Sequence, residues 1–160
     1  METRLHWRER IITLEALLQR FGARLTYHVE IKDYQEGLVA ATLATIEKNG
    51  LTDNCFITAI DKRSTMEARR LAPTIRVAWA VPRNFNKRTV DEAKREGFAQ
   101  VIVEAQEADP EVVRYGQEIG IEIRASAIRD REAMIRAVEA GCNGMTINWP
   151  DWLIEYVKNR

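Results

Sequence analysis

Six short β-prone runs alternate with charged, amphipathic segments, and this alternation restricts the fold more than any other feature of the chain. The runs are LTYHVEI, CFITAI, IRVAWAV, AQVIVEA, IEIRASAI and NGMTIN. Between them lie QEGLVAATLATIEKN, KRSTMEARRL, RTVDEAKRE, PEVVRYGQEI and DREAMIRAVEA. Each of these has apolar positions three or four apart with charges opposite, the mark of a helix with one buried stripe. Gly50, Gly97, Gly120 and Gly141 each follow a helical segment and precede a strand. Glycine ends a helix there because it reaches the left-handed region without a Cβ penalty. Pro73 ends one further helix. The result is a βα repeat of roughly twenty residues. Ahead of the first run, TLEALLQRFG reads as another helix, with Thr13 as N-cap and Gly22 as stop.

Repeated βα units imply a parallel sheet, because parallel strands need crossover helices. The options are a doubly wound open sheet and a (β/α)8 barrel. No G-x-G-x-x-G turn follows any strand, which weakens a nucleotide-binding open sheet. HVEIK and IEIRAS carry polar residues along one side. The centre of an open sheet would be greasy on both faces, whereas a barrel accepts polar groups near its C-terminal mouth. Six strands are two short of a closed barrel. The expected fold is therefore an incomplete (β/α)8 TIM barrel of six parallel strands in one partial domain over residues 1–160. An open six-stranded sheet is the alternative. The helix before the first strand fits the incomplete barrel, where it would close the preceding unit.

Charge parity, 24 Lys plus Arg against 24 Asp plus Glu, argues against a nucleic-acid partner, which calls for a basic excess. No apolar run approaches the length of a membrane span. METRLHWRER has no apolar h-region, so no signal peptide is expected and a cytoplasmic location is preferred. Cys55 and Cys142 match no metal-ligand spacing. They read as small buried thiols at strand starts.

The stretch RLTYHVEIKDY raises the functional question. Tyr27, Val29 and Ile31 alternate with His28, Glu30 and Lys32, so one side of the strand is apolar and the other carries three ionisable groups. Glu30 and Lys32 fall at the C-terminal end, the active-site end of a barrel strand. A carboxylate there can ligate a hard divalent cation, and an ammonium can hold an anionic substrate. An internal Glu–Lys ion pair is the competing reading, and spacing alone does not choose between them.

RIITLEALLQRFGARLTYHVEIK resembles the segment of glycerophosphodiester phosphodiesterases that reads R-I-P-T-L-E-E-V-L and then a strand ending E-I-K. GCNGMTINWPDWL resembles the family's closing G-V-D-G-(I/M)-x-T-(D/N)-x-P-D-x-L. FITAID and GIEIRASAIRD resemble two intermediate elements in the right order. The similarity runs over residues 10–153. The resemblance implies a (β/α)8 barrel and hydrolysis of glycerophosphodiesters to glycerol 3-phosphate and an alcohol, a reaction of lipid metabolism. It implies Mg2+ or Ca2+ as cofactor, Glu30 as a metal ligand, and Lys32 as the cation near the substrate phosphate.

Several family elements are missing. The opening H-R-G, the E-x-D metal pair and a second histidine in H-D have no counterpart. His6 lies in LHWRE, outside any such element. His28 is two residues below Glu30 and reads as a barrel-filling group hydrogen-bonded to a neighbour. With no catalytic histidine and one carboxylate, too few for a six-coordinate ion, the chain is expected to be inactive alone and to hold metal weakly or not at all. Ser126-Ala127 and Ala59-Ile60 replace W-T and S-F. The simplest account is that the first two βα units are absent. The alternatives are a non-catalytic remnant or interaction protein, self-associating through unpaired strand edges, and an aldolase-like enzyme using Lys32 as a Schiff base. Asp61, Glu104 and Asn148 fall at strand ends, where bland roles suffice: a helix cap for Asp61, a solvated acid for Glu104, a helix start for Asn148. Trp79 reads as core first and pocket wall second, and Trp149 and Trp152 as packing. Arg83 and Lys87 read as surface charges that could attract an anion.

Overall fold

Residues 11–159 are described by a computed structural model. The six β-prone runs form the strands β1 (Tyr27–Glu30), β2 (Cys55–Ala59), β3 (Arg76–Ala80), β4 (Gln100–Glu104), β5 (Glu122–Ser126) and β6 (Gly144–Met145). Seven helices accompany them: α1 (Leu14–Phe21), α2 (Leu38–Lys48), α3 (Lys62–Leu71), α4 (Lys87–Arg95), α5 (Pro110–Glu118), α6 (Arg131–Glu139) and α7 (Pro150–Lys158). All strands are parallel and lie in chain order from β1 to β6. A doubly wound sheet reverses its strand order partway, and this one does not. The six units therefore form a half-barrel, an incomplete TIM barrel with helices outside.

Local chemistry sets the helix boundaries. Thr13, Asp61, Asn86, Asp109 and Asp130 each cap a helix by accepting a hydrogen bond from a backbone N–H of its first turn, worth about 1 kcal/mol apiece. The four predicted stop glycines all take positive φ, from 67° at Gly50 to 82° at Gly141. The closing NGMTIN run is shorter as a strand than its β-propensity suggests. Asn143 enters the pairing through its side chain, whose Oδ1 accepts the Ile123 N–H at 2.8 Å. The last ladder bond runs from the Thr146 N–H to the Ala125 carbonyl.

Alternation along the strands sorts the residues onto two faces. Cys55, Ile57, Val77, Val101, Val103 and Ile123 turn outward and pack beneath Val39, Leu43, Ile46, Ala68, Val90, Ala93 and Val113 of the helices, all in one buried cluster. A smaller cluster joins Ala125, Met134, Ala137 and Met145 under α6 and α7. Trp79 belongs to the outer layer: Lys62 Nζ lies 3.7 Å from its ring centroid and also bonds Glu96 at 2.8 Å and Glu92. The pocket-wall alternative for Trp79 is thus set aside, because strand alternation turns it away from the concave face. Cys55 is buried at the start of β2 as expected, whereas Cys142 is half-buried and lies two residues before β6.

Candidate functional site

The opposite set of strand residues, His28, Glu30, Thr58, Ala80, Ile102, Arg124 and Ser126, faces the concave side. With Lys32 and Thr146 they line a hollow of about 430 Å³. Glu30 ends β1 and Lys32 follows it by two residues, so the pleat delivers both side chains to the same rim. His28 sits one step deeper on the same strand. The three ionisable groups of the opening strand therefore meet in one cup at the C-terminal end of the sheet.

Inside the cup Lys32 Nζ donates to Glu30 Oε1 at 2.7 Å. Lys32 is mostly exposed, so the pair is an adaptable surface contact worth less than about 1 kcal/mol. The ammonium can leave the carboxylate for a stronger anion at little cost. His28 stacks on Phe56 with ring centroids 4.8 Å apart and planes 5° from parallel. Arg76 covers the same Phe56 ring at 4.0 Å. The expectation of a hydrogen-bonded His28 is corrected here: its buried Nδ1 has no hydrogen-bond partner. Phe56, its partner across the ladder, offers no polar atom, and no described group reaches the buried edge of the ring to bond Nδ1. Burial, with Arg124 and Arg76 adding to it, lowers the His28 pKa from 6.5 to about 4, against a smaller opposing effect of Glu122. A neutral imidazole results at physiological pH.

Other sequence candidates lie elsewhere. Asp61 caps α3 and pairs with Arg63, and the Arg63 hydrogen bond lowers its pKa. Glu104 ends β4 beside Ser126 but does not line the hollow. Asn148 is exposed, and the residue at the cap position of α7 is Trp149, with no side-chain capping bond. Arg83 and Lys87 are exposed, Lys87 lying 5.5 Å from the Tyr115 ring centroid. Trp149 and Trp152 stack at 4.7 Å, and Trp152 packs against the smaller cluster. His6 lies outside the described residues. Among the described residues no group of three or more His, Cys, Asp or Glu side chains could hold a metal ion. Glu30, engaged by Lys32, does not by itself fit Mg2+ or Ca2+, which take six or more oxygens.

Arg124 was not singled out from the sequence, although its place in IEIRAS signalled it: Glu122, Arg124 and Ser126 alternate with Ile123 and Ala125. Its Nη2 donates to the Met145 carbonyl at 2.7 Å. Burial lowers its pKa, opposed by Glu122.

No family model matches the sequence, and no curated protein matches it. Solved structures do match. A glycerophosphodiester phosphodiesterase from Parabacteroides distasonis superposes with a TM-score of 0.81 at 16% identity, over 92% of this chain and 64% of that one. A glycerophosphodiester phosphodiesterase from Agrobacterium tumefaciens gives 0.72 at 15% identity, over 87% and 59%. An Oleispira antarctica phosphodiesterase, solved in complex with sn-glycerol-3-phosphate, gives 0.68 at 14% identity, over 92% and 61%. The chain thus spans about 60% of the length of the structures it matches. No described helix is long and apolar enough to cross a membrane. Six of the barrel's βα units are present in this chain, and their fold is that of the glycerophosphodiester phosphodiesterases.

Proposed function

We propose that this chain supplies six of the eight βα units of a phosphoric diester hydrolase acting on glycerophosphodiesters. The reading is carried by one observation: Glu30 and Lys32 converge on the rim of a cup whose surrounding barrel matches those enzymes. In the complete barrel Lys32 holds a non-bridging phosphoryl oxygen of the substrate, where its charge offsets the negative charge that gathers as water attacks phosphorus. Glu30 is one carboxylate of a metal set whose other members lie outside the described residues. Among the described residues the one histidine, His28, lies below the rim on β1, and burial lowers its pKa to about 4, which makes it a weak base. The chain by itself is therefore expected to be inactive.

The test has two parts. The purified 160-residue chain, given Mg2+ or Ca2+ and a glycerophosphodiester, releases no glycerol 3-phosphate. A chimaera carrying the first two βα units of the Parabacteroides relative ahead of Arg10 gains turnover, and Lys32→Ala lowers it at least a hundredfold. The proposal fails if the folded chimaera is equally active with Lys32→Ala and Glu30→Ala. Turnover by the chain alone, lost with Glu30→Ala, would overturn the claim that it is inactive unassisted. A chimaera that folds but never turns over would favour the non-catalytic alternative.

A further inference from the structure

Arg124 is the feature of the cup that the hydrolase reading does not use. It projects from the middle of β5 onto the concave face and lines the hollow with Lys32, Thr58 and Thr146. It is half-buried, and among the described residues it forms no ion pair. Among the described residues its one hydrogen bond uses Nη2 toward the Met145 carbonyl, which leaves most of the five N–H donors of a guanidinium uncommitted there. The nearest acid on its own strand, Glu122, acts on it only through space, while Glu122 Oε2 accepts from Gln100 at 2.8 Å. A half-buried cation left without a counter-ion is costly, and an arriving anion relieves that cost.

The neighbouring strand is shaped to seat this side chain. Gly144 lies directly beside Arg124 in the ladder. A Cβ built there would stand 2.9 Å from Arg124 Nη1. Glycine at that position leaves the guanidinium room to lie against β6, at the wall of the hollow that Arg124 lines.

Charge counting gives the ligand class. The charged side chains that line the hollow are Lys32, Arg124 and Glu30. Lys32 and Glu30 cancel each other, which leaves one positive charge at Arg124. A tetrahedral oxyanion with a single negative charge balances it, and a phosphodiester is such a group. A planar fork suits two oxygens of one phosphate better than an ammonium does.

We infer that Arg124 is a phosphate-binding residue of the cup, gripping the two non-bridging oxygens of a phosphodiester while Lys32 approaches from the rim. The inference rests on the reading that the cup takes phosphate groups and adds the residue that holds them. It needs no metal and no further strands.

Calorimetric titration of the 160-residue chain in EDTA tests it, with sn-glycero-3-phosphoglycerol as the diester and sn-glycerol 3-phosphate and inorganic phosphate as the other arms. The diester should bind, with glycerol 3-phosphate and inorganic phosphate no tighter. Arg124→Gln should weaken binding at least tenfold, and Arg124→Lys should recover only part of the loss because the fork is gone. Gly144→Ala keeps the charge but displaces the guanidinium, and it should weaken binding severalfold while circular dichroism stays unchanged. Unchanged affinity in folded Arg124→Gln overturns the inference. So does tighter binding of inorganic phosphate than of the diester, or no binding of any probe. Loss in Lys32→Gln alone, with Arg124→Gln unaffected, overturns it and leaves the hydrolase reading standing. Loss in Arg124→Gln alone upholds it and removes Lys32 from that reading. The hydrolase reading itself is decided by turnover in the chimaera, which calorimetry does not measure.

Discussion

Gly116 lies inside α5 against β5, where alanine would gain helix propensity and lose packing room. An alanine Cβ there would stand 2.9 Å from Ile123 Cδ1 and 3.1 Å from Ile123 Cγ1, inside the ~3.5–4.0 Å separation at which carbon atoms attract. Ile123 is 0% exposed, so its δ-methyl cannot swing into solvent. Replacing glycine by alanine in a helix interior is favourable by about 0.8–1.0 kcal/mol. Overpacking a tight core costs about 1–3 kcal/mol. The clash wins, and Gly116→Ala should lose about 1 kcal/mol. Ile123→Val alone removes the clashing methyl and should cost about 0.5–1.5 kcal/mol. Together the two changes exchange one methyl for another in nearly the same space. The remaining close contact, at Cγ1, needs a shift of only a few tenths of an ångström. The double variant should fall within about 0.5 kcal/mol of the parent, a coupling of about 1.5 kcal/mol. Urea unfolding followed by circular dichroism and by tryptophan fluorescence measures all four proteins, and coincident curves establish two-state behaviour. A Gly116→Ala protein more stable than its parent, or two strictly additive losses, would refute the packing argument.

His28 makes stability depend on pH. Below pH 6.5 the unfolded chain binds a proton that the folded chain refuses until about pH 4. The unfolded state thus holds more protons in that window, and stability falls as pH drops through it. His28→Gln should flatten this part of the curve of urea midpoint against pH, and parallel curves would contradict the assigned shift. Ala127, directly after β5, has φ of 54°, where an L-residue with a Cβ is strained by about 1–2 kcal/mol. Ala127→Gly should raise stability by about 0.5–1 kcal/mol after the added freedom of the unfolded chain is counted, and a fall in urea midpoint would show that the backbone there is not strained.

The fold was legible because its determinants are local. The glycine stops, the caps at Thr13 and Asp61 and the period-two strands each act within a few residues, and each formed as read. The short β6 was less legible, since Asn143 replaces a main-chain acceptor with a side-chain one through a partner twenty residues earlier. His28 was misread for a similar reason. Its face of the strand follows from alternation, but the empty surroundings of its Nδ1 depend on which residues of β2 and beyond stand beside it, and register between strands is not written in either one. Arg124 needed the same cross-strand knowledge. Only the ladder reveals that Gly144 stands beside it and that no carboxylate pairs with it. Glu30 and Lys32 were found because they lie on one strand, where two-residue spacing is sufficient to bring them together.

The two faces of this sheet divide the work of folding and of recognition. The outward residues of the strands form the main core with the helices, and that burial supplies the hydrophobic driving force. The inward face carries His28, Glu30, Thr58, Arg76, Gln100, Glu122, Arg124 and Ser126, with Phe56, Ile102 and two alanines among them. A closed barrel normally fills that space with branched apolar side chains. Here polar and charged residues take most of those places. These polar inner residues leave some of their hydrogen-bonding capacity unused: His28 Nδ1, the acceptor Gln100 Oε1 and most of the N–H donors of Arg124. Changes on the outer face, such as Gly116→Ala, should therefore act on stability first. Changes on the inner face, such as Arg124→Gln, should act on binding first. A set of inner-face variants whose affinity losses merely followed their stability losses would show that this division is absent.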